Sequence, residues 1–233
     1  MCMRPSTTIL TILTLALLFI PAILCAAQLV PPANRPIRVA VVLTDGATMI
    51  DFAGPWEVFQ DVMLPGEGSA EPTTPFELFT VGAAKEPIRT SGGMAVVPDY
   101  TFADAPVPDV IVIGAQRGAP DLGPWLRKMR PQSRIIMSVC TGAFKLADAG
   151  LLDGKPATTH HDFFDAFAKR FPKVTLVRDK RFVQADSVVY SAGGLTSGID
   201  LALHVVSLYF GKETAERTAV YMEYTGTRWR ESS

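Results

Sequence analysis

A single cysteine stands between an apolar run and a helix start, in the stretch RIIMSVCTGAF. Cys140 follows the run directly, which predicts a strand-turn-helix elbow of the kind that holds a nucleophile above a sheet. The N-terminus of the following helix would favour the thiolate. We expect the N–H groups of Thr141 and Gly142 to point toward a developing anion. On position alone, a small buried thiol that only fills space is an equal alternative.

An acidic residue from a distant part of the chain is a candidate proton carrier. Asp51 lies at a predicted helix start, after the apolar run VAVVL and the turn TDGATM. Ligands of doubly wound sheets bind beyond the carboxyl ends of the strands, and there the Asp51 carboxylate would face Cys140. The helix dipole alone also favours an acid in a first turn, and for Asp51 in isolation that simpler role is preferred.

The three histidines are further candidates. His160 and His161 follow the elbow helix, and we expect His160 to support the thiolate as a base. His161 is interpreted as a surface residue, and His204, in the apolar stretch IDLALHVV, as a packed core histidine. The adjacent pair has no matching acid or cysteine at ligand spacing, which makes a metal site improbable. The prediction is therefore no metal and no cofactor.

Alternating strand and helix patterns must position these residues. Four apolar runs, IRVAVVL, FELFTVG, DVIVIG and RIIMSV, predict strands buried on both faces. IRTSGGMAVVPDY predicts a hairpin, and KVTLVRD, RFVQAD and VVYSAGG predict short strands. Helices are predicted between and after them, the last two being TSGIDLALHVVSLYFG and KETAERTAVYMEY. The alternation predicts an α/β fold, a mostly parallel sheet doubly wound by helices on both faces.

The composition fits one globular domain. The chain has 233 residues, of which 48% are hydrophobic and 19% charged, and its formal net charge is -1. One domain over residues 37–233 accounts for the whole strand and helix pattern. The near-zero charge and the lack of a Lys/Arg run in the sequence give no reason to expect nucleic acid as a partner.

The first 27 residues have the pattern of a secretory signal peptide. Arg4 precedes an uncharged run over 9–20, and Pro21 and small residues near Ala27 follow. The run is shorter than the roughly 20 residues that span a bilayer. We therefore expect cleavage, a Pro-rich linker over 28–36, and a periplasmic or secreted protein without membrane association. An uncleaved membrane anchor is the alternative.

Cleavage would change the cysteine content. Of the three cysteines, Cys2 and Cys25 would leave with the signal peptide. The mature protein would then hold Cys140 alone, and an internal disulfide would be excluded. A single thiol in an exported protein favours a reactive role for it.

Three ordered stretches resemble the ThiJ/PfpI superfamily: IDFAGPWEVF, SVCTGAFKLADAGLLDGKPATTH and GGLTSGIDLALHVV. The resemblance covers nearly all of the predicted mature chain. It implies the flavodoxin-like fold of class I glutamine amidotransferases, and a homodimer, because members generally form one. The most similar branch contains isonitrile hydratase and the sensor domains of AraC-type regulators.

The resemblance also implies roles for residues. In isonitrile hydratase the acid of the first motif, the elbow cysteine and the next threonine carry activity, and these roles fall on Asp51, Cys140 and Thr141. Proteolytic members have histidine after the cysteine, so Thr141 argues against a protease.

Two departures from the branch concern its pocket. Gly114 and Ala115 stand where a Gly-Gly pair usually supplies a backbone donor. We expect oxyanion or substrate contacts from Gly114, Ala115 and Thr141. His161 replaces an aromatic residue that borders the pocket, which implies a different substrate preference.

The predicted function is hydration of a small electrophile, an isonitrile giving an N-substituted formamide. Cys140 would attack the substrate carbon, Asp51 would carry protons, and Thr141 would position the substrate. The alternative is a non-catalytic ligand-binding or redox-sensing protein that uses the same cysteine pocket. Glyoxalase- or deglycase-like chemistry ranks below both, because it normally needs a glutamate at the place of Asp51.

Overall fold

The computed structural model describes residues 28–64 and 74–231, so the predicted signal peptide lies outside the described residues. The strands are β1 (Ile37–Val42), β2 (Phe76–Gly82), β3 (Ile88–Arg89), β4 (Ala95–Val96), β5 (Tyr100–Thr101), β6 (Val110–Ile113), β7 (Ile135–Ser138), β8 (Pro156–Ala157), β9 (Thr175–Leu176), β10 (Phe182–Gln184) and β11 (Val189–Ala192). The α-helices are α1 (Met49–Gln60), α2 (Leu122–Met129), α3 (Gly142–Asp148), α4 (Phe164–Arg170) and α5 (Ser197–Tyr221). Short 3₁₀ helices cover His161–Phe163 and Arg228–Arg230.

Seven of the strands form one central sheet in the order β10-β11-β7-β6-β1-β2-β5. All of its pairings are parallel except the one between β10 and β11. The strands β6 and β7 are buried along their whole length, as their unbroken apolar runs predict. The mostly parallel sheet is therefore confirmed.

Successive strand residues face two separate cores. In β1, Val39 and Val41 belong to the core with α1 and α5, while Ala40 and Val42 belong to the core with α2, α3 and α4. Helices thus cover both faces, and the doubly wound architecture is confirmed. Because β1, β6 and β7 are parallel neighbours, their carboxyl ends lie together at one edge of the sheet, where a ligand site is expected.

The peripheral elements follow the sequence patterns closely. The predicted hairpin is the antiparallel pair β3–β4, and its turn contains Gly93 at a φ of 87°. Gly211, predicted to lie just past one helix and before another, has a non-helical φ of 82° and ψ of 164° inside α5. The residue therefore breaks the helical geometry as expected. The two-residue strand β8, which pairs with β9, was not predicted.

Residues 28–36 contain neither helix nor strand, yet they lie against the domain. The N–H of Leu29 donates to the carbonyl oxygen of Leu208 in α5 at 2.8 Å. Arg35 pairs with Asp109, just before β6. These bonds attach the segment to the fold at two places. None of the helices in the described ranges is long and apolar enough to cross a membrane.

Candidate active site

Cys140 lies at the turn between β7 and α3 and has a positive φ of 59°. Its N–H donates to the carbonyl oxygen of Gly193 at 2.8 Å, and its carbonyl oxygen accepts from the Thr159 hydroxyl at 2.9 Å. Such a conformation is strained for a residue with a side chain, and surrounding bonds must hold it. The residue is 7% exposed. The structure therefore has the elbow geometry of a nucleophile with a nearly enclosed thiol.

The start of α3 packs unusually close to the end of β6. A Cβ on Gly142 would lie 2.1 Å from the carbonyl oxygen of Ile113. No residue with a side chain can make that approach, so glycine is required here. The N–H of Gly142 donates to the carbonyl oxygen of Val139 at 3.0 Å, so it is not free for a developing anion as the sequence predicted.

Asp51 lies in the first turn of α1 and is fully buried. Its Oδ2 atom accepts the N–H of Ala115 at 2.9 Å. The backbone after β6 comes so close that a Cβ on Gly114 would lie 2.7 Å from the Cβ of Asp51. Gly114 and Ala115 therefore position the carboxyl group. This corrects the role expected for Ala115, because its N–H is bonded to Asp51 and is not free for a substrate oxygen.

The carboxyl group of Asp51 and the thiol of Cys140 interact within this buried site. The N–H of Leu195 lowers the pKa of both groups, and the N–H of Thr141 lowers the pKa of the thiol. Oδ1 of Asp51 has no well-formed hydrogen bond to a described residue, so its contacts with these groups are long or bent. The sequence analysis brought Asp51 and Cys140 together but missed Leu195, which contributes a backbone group at a φ of 54°.

The ionisation of this pair is governed by burial. Burial raises the pKa of the Asp51 carboxyl above its usual 3.8, although the N–H of Ala115 opposes the shift. Burial and then the charge of Asp51 raise the pKa of the Cys140 thiol to about 12. The N–H groups of Thr141 and Leu195 lower that pKa by less. The expected preference for thiolate is therefore not found. While Asp51 is ionised, the thiol keeps its proton.

Thr141 contributes to the site through two different groups. Its N–H acts on the sulphur of Cys140, as predicted. The residue is the N-cap of α3, but its side chain makes no cap hydrogen bond. Within the described ranges the hydroxyl has no partner, and it is therefore free to bind a substrate.

His160 borders the site. Within the described ranges its ring makes no hydrogen bond to the thiol of Cys140. Its Nδ1 accepts the N–H of Asp162 at 3.2 Å. Its ring packs on the backbone of Gly194, where a Cβ would lie 2.1 Å from His160 Cδ2. A positive charge on His160 lowers the pKa of Asp51. The charge of His160 therefore acts on Asp51, and support of the Cys140 thiolate by His160 stays a prediction.

The histidine pair has an acid beside it, which corrects the sequence argument. One ligand atom each from His160, His161 and Asp162 lie within 4.8 Å of one another. This spacing would suit a metal ion, but His160 Nδ1 already accepts a backbone N–H, and His161 and Asp162 are exposed.

His204 is packed on aromatic rings, as predicted. Its ring centroid lies 4.8 Å from that of Phe182 and 6.1 Å from that of Tyr190. Burial lowers the pKa of its imidazole. These contacts are those of a structural residue.

A cavity of about 450 Å³ lies next to the buried pair. His160, His161 and the segment 193–197 line one part of it, and the basic residues Arg178, Lys180, Arg181 and Arg228 line another. Leu195 lines this cavity and also acts on Cys140 and Asp51. The cavity is therefore the candidate approach for a substrate.

A strained cysteine elbow at the carboxyl edge of a flavodoxin-like sheet, with a buried acid facing the thiol, defines the class of this protein. Residues 37–208 match the model of the DJ-1/PfpI family, and the chain belongs to that family. The resemblance identified from the sequence motifs is thus confirmed.

Individual relatives within the family differ in what they do. The chain is 30% identical over 197 residues to isonitrile hydratase of Pseudomonas putida, covering 81% of this chain and 78% of that protein. It is 28% identical over 190 residues to the HTH-type transcriptional regulator GbdR of Pseudomonas aeruginosa, covering 79% of this chain and 50% of the regulator. The crystal structure of a ThiJ/PfpI family protein from Pseudomonas syringae matches with a TM-score of 0.68 and 25% identity, covering 82% of this chain and 76% of that one.

Proposed function

We propose that this protein is a cysteine-dependent hydratase that converts a small isonitrile into an N-substituted formamide. The observation that carries the proposal is the contact between the Asp51 carboxyl and the Cys140 thiol in one buried site. The similarity to isonitrile hydratase of Pseudomonas putida supports the choice of substrate.

The first half of the reaction adds the thiol to the substrate. Asp51 takes the proton of Cys140, and the sulphur forms a bond with the terminal isonitrile carbon. The carboxyl then returns the proton to that carbon, which leaves a thioimidate on the enzyme. The direction of the shift suits this role, because a carboxyl with a raised pKa holds a transferred proton better than an exposed aspartate does.

The second half hydrolyses the thioimidate. Asp51 accepts a proton from water, the water oxygen bonds to the same carbon, and the substrate nitrogen receives the proton. The tetrahedral intermediate expels sulphur, which recovers the hydroxyl proton, and an N-substituted formamide leaves. The N–H of Leu195 and Thr141 stabilise the sulphur whenever it is anionic. The sum is one isonitrile and one water giving one formamide.

Turnover of cyclohexyl isonitrile tests the proposal. We expect the full chain to form N-cyclohexylformamide, detected by mass spectrometry, and Cys140→Ala to form none. Asp61→Asn, at the other end of α1 from Asp51, serves as a control that should keep activity. An unchanged substrate at high protein concentration would contradict the proposal.

A second candidate is a protein that binds a ligand in the same pocket without turnover. The similarity to GbdR favours this candidate, because GbdR is a transcriptional regulator and half of its length matches this chain. Redox sensing would use the same thiolate, which forms when the proton of Cys140 moves to Asp51. Stoichiometric oxidation of Cys140 by mild peroxide, without isonitrile turnover, would support a sensor.

Export and dimerisation are further parts of the proposal. The pattern of the first 27 residues supports export to the periplasm or the medium. N-terminal sequencing of the protein recovered from cells tests this, and a chain that still begins at Met1 would contradict cleavage. Sedimentation equilibrium tests the homodimer, and a single monomer mass across micromolar concentrations would contradict it.

A further inference from the structure

A second cavity, of about 630 Å³, lies against the loop that follows β6. Its lining comes from this loop and from α2, α3 and α4. Four cationic side chains line it, those of Arg117, Arg127, Lys145 and Arg170, and Asp148 is the one acid in the lining. The volume is in the range of small-molecule sites, and the charge of the lining is strongly positive.

Three of the four cations form no ion pair with a described residue, and two of these three have no hydrogen bond to their charged group either. Arg170 pairs with Asp148 at 2.6 Å, and Lys145 Nζ donates to the carbonyl oxygen of Arg117 at 2.8 Å. The guanidinium groups of Arg117 and Arg127 make no ion pair or hydrogen bond with any residue in the described ranges. Folding therefore concentrates positive charge that the protein itself does not neutralise, and such a cavity attracts anions.

The lysine in this cavity is held in place by the backbone. A Cβ on Gly118, which has a φ of 89°, would lie 3.2 Å from Lys145 Nζ, so the absence of a side chain gives the ammonium room. Burial lowers the pKa of Lys145, the charge of Asp148 opposes that shift, and the charge of Arg170 adds to it by less than Asp148 opposes it. An anion placed here would act on the Lys145 ammonium in the same direction as Asp148.

We propose that this cavity binds a small organic molecule with two or more oxyanion charges, carried on phosphate or carboxylate groups. Arginine forks bind either group through paired N–H donors, and Lys145 adds a point charge. Neither Asp51 nor Cys140 lines this cavity. It also has no lining residue in common with the 450 Å³ cavity beside them. The proposed binding site is therefore separate from the cysteine site.

Calorimetric titration of the full chain with inorganic pyrophosphate and, separately, with citrate tests this proposal. We expect one site per chain for at least one probe, with affinity that falls as salt is added. Whichever probe binds more tightly identifies phosphate or carboxylate as the preferred group. Arg117→Gln and Arg127→Gln should each weaken binding by about tenfold or more, because each removes a charge-assisted contact.

Lys128→Gln is the matched control. Lys128 lies next to Arg127 on α2, is exposed, and does not line the cavity. We expect its loss to change affinity by less than about threefold, since it removes charge without removing a contact. Equal effects of Lys128→Gln and Arg127→Gln would overturn the proposal in favour of a diffuse surface charge. No binding of either probe at millimolar concentration would overturn it as well, whatever the outcome for isonitrile turnover.

Discussion

Burial and the charge of the neighbouring Asp51 carboxyl raise the pKa of the Cys140 thiol to about 12. Asp51 lies in the helix that follows β1, and Cys140 lies in the turn that follows β7. The strand β6 lies between β1 and β7, and the backbone after it holds Asp51 through the N–H of Ala115. Acid and thiol are therefore fixed at the carboxyl edge of three adjacent strands. The reactive thiolate can form in this site when its proton moves to Asp51.

Asp51→Asn should separate thiol ionisation from catalysis. Removing the charge of Asp51 removes a cause of the raised pKa, so the midpoint of Cys140 alkylation by iodoacetamide should move to lower pH. Isonitrile turnover should nevertheless fall by about 100-fold or more, because the variant lacks the group proposed to carry the proton. Alkylation followed by mass spectrometry at a series of pH values measures the first effect. A midpoint that moves upward would show that Asp51 stabilises the thiolate.

The same variant should also change the pH dependence of stability. Folding raises the pKa of Asp51, so this residue favours the fold below its unfolded value of 3.8, and that contribution is lost as pH rises through the folded pKa. Asp51→Asn should therefore have a higher free energy of unfolding than wild type at pH 7. The difference should shrink toward pH 3.8, as urea unfolding can measure. A variant less stable than wild type at pH 7 would contradict the raised pKa.

Much of the fold was predictable because its strands are unbroken apolar runs. The sequence of β6 and β7 has no polar residue between Val110 and Ile113 or between Ile135 and Met137, and a parallel strand buried on both faces requires that pattern. Gly211 was also recognisable as a break. The strand β8 was not, because two residues carry no periodicity and their pairing with β9 depends on tertiary packing.

The site was predictable where side-chain type carries its chemistry, as for Asp51 and Cys140. Backbone groups were harder, because residue type does not show where an N–H points. Leu195 acts through such a group, and Ala115 directs its N–H at Asp51 rather than at a substrate. The basic cavity escaped prediction for a different reason. Its cations are scattered between residues 117 and 170, and only the fold brings them together.

Thr141→Val should distinguish the hydroxyl of Thr141 from its N–H. The variant keeps the N–H that acts on the sulphur, so the pH midpoint of Cys140 alkylation should stay within about 0.3 units. The free hydroxyl would be lost, and kcat/KM for the isonitrile should fall about tenfold, the effect of one hydrogen bond to substrate. Parallel kinetics and alkylation test both parts. A large shift in the midpoint would mean that the hydroxyl also acts on the thiol.

Gly114→Ala should displace Asp51 with little effect elsewhere. The new Cβ would lie 2.7 Å from the Cβ of Asp51, so the first turn of α1 or the backbone after β6 must shift. Overpacking of this kind costs about 1–3 kcal/mol of unfolding free energy, and a displacement of the carboxyl near 1 Å would lower turnover about 100-fold. Gly92→Ala is the control, because nothing lies within 4 Å of a Cβ there. Urea unfolding and isonitrile turnover measure both variants. Wild-type turnover in Gly114→Ala would show that the close contact with Asp51 is not needed for catalysis.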